Sequence, residues 1–306
     1  MFDEVRRVRY LCGYAIGMAA LGVSLMAGVT AARAQLATPD EYREVDSKYI
    51  FGFTKGADIG EEGEKAIEFE TTAAFQKRHG AYRMIEQELE FEGVPTQFFA
   101  YELSAHSTYH SIKGVDDLDN RDRAQFSGLS TDLRYLLSGR GPGSPVGLTI
   151  SAQPEWTRVD GTSGIRTRGY STAFRLAADT ELIASRMYAA VNLIYQPEVA
   201  KEAGAPTWSR NSTAGVTGAI AYRVAPRVTM GGELEYYRAY DGLAFKTFAG
   251  HAVYAGPTMH IQFTGKTMLS LAFSTQVYGS AAGEHRSLDL TNFERYHANA
   301  KLEFEF

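Results

Sequence analysis

The C-terminal stretch 296–306 alternates without a break. Tyr296, Ala298, Ala300, Leu302, Phe304 and Phe306 share one face of an extended strand, and His297, Asn299, Lys301, Glu303 and Glu305 share the other. Such a pattern demands a wall with two unlike sides. From Lys65 onward it returns in segments of strand length: 65–76, 82–93, 97–110, 123–137, 145–158, 166–178, 181–196, 212–224, 227–240, 250–263, 266–278 and 294–306. The first segment sets Ile67, Phe69 and Phe75 against Glu68, Glu70 and Gln76, and the ninth sets Met230, Leu234 and Tyr236 against Glu233, Glu235 and Tyr237.

A soluble β-sandwich also alternates. Three features favour a membrane wall instead. The segments exceed the usual strand length of a soluble domain. The polar face carries charge in runs, as at Glu86, Glu88, Glu90 and Glu92, and aromatics gather near the segment ends. Connections are short on one side (93–96, 138–144, 178–180, 225–226, 264–265) and mostly longer on the other (111–122, 159–165, 197–211, 241–249, 279–293), with 77–81 a short exception. The expected fold is all-β: an antiparallel up-and-down transmembrane β-barrel of about twelve strands over 65–306, with ten or fourteen as alternatives and both chain ends on the short-turn side.

The N-terminus reads as an export signal. Arg6, Arg7 and Arg9 precede an almost wholly apolar or small stretch, 11–30, and Ala32-Arg33-Ala34 forms a small-x-small site before Gln35. We expect cleavage after Ala34; a membrane-anchor helix is the alternative reading. The removed piece holds Arg6, Arg7, Arg9 and Arg33 against Asp3 and Glu4, so the mature chain is more acidic than the net −5 of the whole. That acidity argues against nucleic acid as a partner. The single cysteine, Cys12, leaves with the signal, so stability must come from backbone pairing and apolar burial. Residues 35–64 are polar and acidic around an apolar island, Tyr49-Ile50-Phe51-Gly52-Phe53; they read as a periplasmic lead-in, either tucked into the barrel mouth or a disordered tail.

The terminal Phe306, with Phe304 and further apolar residues at alternate positions before it, resembles the C-terminal assembly signal of Gram-negative outer-membrane β-barrel proteins. The stretch Tyr49 to Asp58, with Gly63-Glu64-Lys65 and the first strand, is similar to an uncharacterised group of that class. The resemblance implies export to the bacterial outer membrane. It implies outer-membrane lipid, lipopolysaccharide and the barrel assembly machinery as partners. It carries no catalytic residues.

With the apolar faces toward lipid, the polar faces line a lumen. An acidic wall is expected from Glu68 and Glu70, Glu88, Glu90 and Glu92, Glu102, and Glu303 and Glu305, on strands that closure makes neighbours. A basic wall is expected on the far arc from Arg134, Arg175, Arg186 and Arg223, with Lys301 and Asp132 as minority charges. Twelve strands give a backbone diameter of roughly 24 Å and a clear lumen of roughly 10 Å at most. The reading is a passive or gated channel for ions or small polar solutes, in the way that rings of charge select in other pores. A structural or interaction barrel with a charge-filled, closed lumen is the first alternative. A lipid-modifying enzyme is the second, and the weaker. His106-Ser107 and His110-Ser111 are strand neighbours that point to opposite faces. His106 and His110 lie about 13 Å apart, too far to share a metal. Asp116-Asp117-Leu118-Asp119-Asn120-Arg121-Asp122 lacks the Gly and terminal Glu of a calcium loop. No cofactor and no metal are expected, and the sequence leaves the oligomeric state open.

Overall fold

A computed structural model describes residues 47–141, 144–284 and 286–306. The expected signal, 1–34, and the first part of the lead-in, 35–46, lie outside the described residues. Twelve strands follow in order: β1 (Lys65–Phe75), β2 (Ala81–Thr96), β3 (Phe99–Lys113), β4 (Arg121–Ser138), β5 (Val146–Val159), β6 (Arg166–Ile183), β7 (Met187–Glu202), β8 (Ser209–Ala225), β9 (Val228–Asp241), β10 (Thr247–Thr264), β11 (Thr267–Ala281) and β12 (Tyr296–Glu305). Each pairs antiparallel with its sequence neighbours, and β1 closes on β12 from Ala66 opposite Glu305 to Phe75 opposite Tyr296. Closure leaves no strand edge unpaired, which is what lets a sheet stand in hydrocarbon.

The burial pattern is that of a soluble protein turned inside out. Phe69 is 51% exposed and Leu234 58%, while Glu235 and His110 are fully buried. Outward apolar side chains gain nothing by meeting water, so this surface fits lipid, and the inward polar side chains are shielded within the lumen. Leu193 lies near the middle of β7 on the lipid face and is half exposed. Leu193→Arg should therefore weaken folding into phospholipid vesicles by about 2–4 kcal/mol. Urea titration of refolded barrel reads this directly, and an unchanged midpoint would place that face elsewhere than in the membrane.

Most strands from β2 to β11 run further than alternation predicts, while β1 and β12 are shorter. One difference moves a site residue. The expected turn at 178–180 is strand: β6 continues to Ile183, the turn falls at 184–186, and Ser185 takes a left-handed φ of 55°. Asp179-Thr180 has turn-like composition, but Asp179 points into the lumen, where it is almost fully buried against the lead-in. Arg186 accordingly sits in the short β6–β7 turn, one residue before the seventh strand begins.

Candidate functional site

The half of the lumen nearer the short turns is occupied by the chain itself. Residues 47–60 enter at the short-turn side, loop across the interior and return. Asp179 ties the two ends of the loop together: it accepts hydrogen bonds from the Ser47 hydroxyl and from the Ala57 amide (2.9 Å), while Arg140 pairs with its other oxygen at 3.1 Å. The loop tip is held by Glu233 on β9. Its carboxylate accepts the backbone N–H groups of Gly52, Phe53 (2.9 Å) and Thr54 (3.1 Å). A side chain at position 52 would collide with Ala272 and lie 2.9 Å from Glu233 Oε1, so the loop backbone approaches this closely only because residue 52 is glycine. Asn192 on β7 brackets Lys55, accepting from its amide at 2.8 Å and donating to its carbonyl at 2.7 Å. The Ser270 hydroxyl of β11 donates to the Tyr49 carbonyl (2.6 Å), and Arg134 of β4 donates to the Asp58 carbonyl (2.8 Å). Apolar anchoring is limited. Ile50 and Phe51 pack with Tyr188, Ala190, Ala219 and Ala221, and Ile59 packs with Val94, Ala100 and Leu136.

Two lysines of the loop meet the acidic arc. Lys48 is buried and bridges Glu92 and Glu102, the latter at 2.7 Å. Lys55 reaches Glu102 (3.5 Å) and Asp132 (3.3 Å), and Arg134 lies 3.4 Å from Glu102. The Tyr49 hydroxyl donates to Glu92 (2.6 Å), and the Lys48 and Lys301 ammonium groups lie over its ring, 4.4 and 5.4 Å from the centroid. Lys301 in turn holds Glu68 (2.8 Å) and Glu70 (3.1 Å). Charges removed from water are costly alone, and here each of the three lysines is shared between two carboxylates.

On the long-loop side of the plug the lumen keeps a cavity of about 290 Å³. Its wall includes Glu70, Glu86, Glu88 and Glu155, with Arg175 and His106 among them. The His106 ring bonds Glu86 through Nδ1 (3.1 Å) and Ser130 through Nε2 (2.8 Å), with Glu88 at 3.7 Å. Above the loop tip, the His297 ring meets the Phe53 ring edge-on and stacks on Tyr254, both at 4.3 Å between centroids. The two nitrogens of His297 reach Glu235 (3.0 Å) and Glu294 (2.9 Å), the latter in the loop 282–295.

The expected acidic wall is thus split by height. Glu68, Glu90, Glu92, Glu102 and Glu303 are buried in the plug layer, Glu70 and Glu88 line the cavity above it, and Glu305 is part-exposed at the end of β12. The expected basic wall does not form one surface. Arg134 faces the plug, Arg175 the cavity, Arg223 bonds the Pro226 carbonyl of its own turn (2.7 Å), and Arg186 is in the neighbouring turn. Nor is the far arc purely basic, since it also carries Asp179, Glu233 and Glu235. The alternation places Glu233 and Glu235 on the polar face, yet charge sorting by arc passes over them because their partners are backbone amides and a histidine. Lys48 and Lys55, which carry the loop's charge, escape a reading that takes 35–64 as acidic. Phe304 and Phe306 stand exposed on the outer face, and the loop containing Asp116 and Asp117 packs against Arg78 and His79 of its neighbour.

Comparison with known proteins gives fold and family. The barrel superposes on the COG4313 outer membrane channel from Pseudomonas putida F1 with a TM-score of 0.53 at 11% identity, covering 86% of this chain and 100% of that one. The beta domain of the Bordetella autotransporter Brka follows at 0.50 and 12%, covering 80% and 100%. The KdgM porin solved in complex with disordered oligogalacturonate overlaps more loosely, at 0.43 and 12%, covering 79% and 99%. The fold is that of the Gram-negative outer-membrane barrels. No curated protein matches the chain. The model of a family of unknown function, DUF6662, matches residues 43–306.

Proposed function

We propose that this chain, which belongs to the DUF6662 family, is a gated outer-membrane channel for small cationic or polar solutes, with residues 47–60 as its gate. The observation that carries this reading is the chemistry of the plug's attachment. Most of its contacts are hydrogen bonds and ion pairs, groups that water can replace, and only Ile50, Phe51 and Ile59 bury apolar side chains in defined clusters. An apolar core would have to be torn out of its packing, whereas a polar plug can exchange its partners for solvent when it leaves. The acidic cavity above it supports selection for cations, because four carboxylates face one arginine and one histidine. The His106–Ser130 pair does not support a hydrolytic reading: Ser130 is buried, and the ring lies between two carboxylates that also line the cavity.

Deletion of 47–60 from the full-length protein should turn rare or absent conductance into steady unitary steps in planar bilayers. The open variant should favour cations, and Glu86→Gln with Glu88→Gln in that background should reduce the preference. If the deletion variant folds, by its heat-modifiable gel mobility, and still passes no current, the gate reading fails. A barrel closed by the charged side chains of its own wall then stands.

A further inference from the structure

The lipid-facing surface carries an unneutralised basic patch at its outer edge. Arg158 near the end of β5, Arg166 and Arg168 at the start of β6, and Lys201 near the end of β7 share the outward face and adjoin the long loops 160–165 and 203–208. The three arginines are exposed and Lys201 is half-buried. Arg168 and Lys201 are directly opposite in the β6–β7 register, and Arg166 lies opposite Val159, beside Arg158. Like charges placed face to face across a strand pair are destabilising unless something neutralises them. Among the described residues, no carboxylate lies within ion-pair distance of any of the four. Glu202, which borders the patch, is not bridged to them.

The surroundings hold the cations in place. The Arg158 guanidinium lies over the Trp156 ring (5.9 Å) and that of Arg168 over Tyr170 (5.8 Å), where Arg168 Nε also donates to the phenol oxygen at 3.1 Å. Tyr170 stacks in turn on Trp208, 6.3 Å between centroids. Two open clefts, of about 460 and 320 Å³, flank Arg168, one walled by Trp156 and Arg158 and the other by Arg166 and Lys201. Aromatic rings at this height belong to the membrane interface, with the apolar belt of Phe174 and Leu193 below them.

We propose that this patch binds the phosphate groups of lipopolysaccharide in the outer leaflet, seating one lipid against β5–β7. The anion must come from the surrounding membrane, because the side chains point outward at its rim and not into the lumen. Phosphate suits the patch on chemical grounds, since a guanidinium fork pairs with two of its oxygens at once, and clefts on both sides of Arg168 leave room for a lipid's sugar and acyl groups beside them.

The test uses the purified full-length barrel in detergent and native mass spectrometry, with four probes: phosphorylated lipid A, dephosphorylated lipid A, phosphatidylglycerol and inorganic phosphate. Phosphorylated lipid A should bind preferentially. Arg166→Gln, Arg168→Gln and Lys201→Gln together should weaken it at least tenfold, while Arg295→Gln, a cation over Tyr296 elsewhere on the barrel, should leave it unchanged. Lys201→Gln alone relieves the opposed charges and does not threaten folding; it should give an intermediate loss. Equal binding by wild type and triple variant would overturn the proposal, as would equal binding of dephosphorylated lipid A. Displacement by inorganic phosphate at matched concentration would mark a free-anion site, and equal binding of phosphatidylglycerol a general anionic-lipid surface. Either result would also refute it.

Discussion

Lys48→Met is expected to release the plug and leave a barrel that conducts without a trigger. The ammonium group lies buried between Glu92 and Glu102. Without it, Glu90, Glu92 and Glu102 face one another with oxygens within 4.8 Å. Lys55 and Arg134 reach only Glu102 of the three. Breaking a buried pair by removing one partner typically costs about 3–5 kcal/mol, because the surviving charges stay out of water uncompensated. The folded barrel can avoid that cost cheaply: it lets the loop go and allows water to reach the carboxylates. The cost therefore shows as gate opening rather than barrel unfolding, a shift of about two to four orders of magnitude in the closed-to-open ratio. Single-channel recording would show long openings, and protease added from the short-turn side would cut within 47–64. Lys48→Arg keeps the charge and should stay largely closed. A Lys48→Met barrel that remains silent and protected would mean that the plug is held by its apolar anchors.

The barrel was legible in the sequence because alternation records a physical fact about each strand: which side meets lipid. Phe69 beside Glu68, or Leu234 beside Glu233 and Glu235, can be sorted with no knowledge of any partner. Closure, the strand number and the sides of the long and short connections follow from the same pattern. The plug was not legible in that way. Alternation says which face a side chain takes, and is silent on what fills the space in front of it. Tyr49 finds Ser270, and Thr54 finds Thr217, across most of the chain length. Nothing local to the lead-in marks such contacts. The two misplacements share that cause. Asp179 looked like a turn residue because acid next to threonine is turn-like, yet its role is to hold Ser47 and Ala57. Arg186 was displaced with it. The charged walls were expected to face each other across open water, but the cations that answer Glu92 and Glu102 are Lys48 and Lys55 of the lead-in as well as Arg134 of the wall.

Glu233→Ala tests the other end of the loop, where the attachment is of a different kind. Here one carboxylate gathers three successive backbone amides, from Gly52, Phe53 and Thr54. Removing it leaves those donors buried with no acceptor, and each unsatisfied group costs about 1–3 kcal/mol. The Thr54 hydroxyl keeps Thr217 at 3.0 Å, and Lys48 and Asp179 still hold the base of the loop. The tip should therefore loosen while the base stays. We expect brief, partial conductance steps in place of the long openings of Lys48→Met, and Glu233→Gln, which retains one acceptor oxygen, should fall between Glu233→Ala and wild type. The tip is also the part of the plug that touches the outer loops, through Phe53, His297 and Glu294. Loosening it should free His297 from one neighbour and raise amide exchange at 52–54 and around 294–297 together, leaving 47–49 protected. Hydrogen exchange confined to 52–54 would show that the outer loop and the gate are not linked, and full conductance in Glu233→Ala would show that the tip alone holds the channel shut.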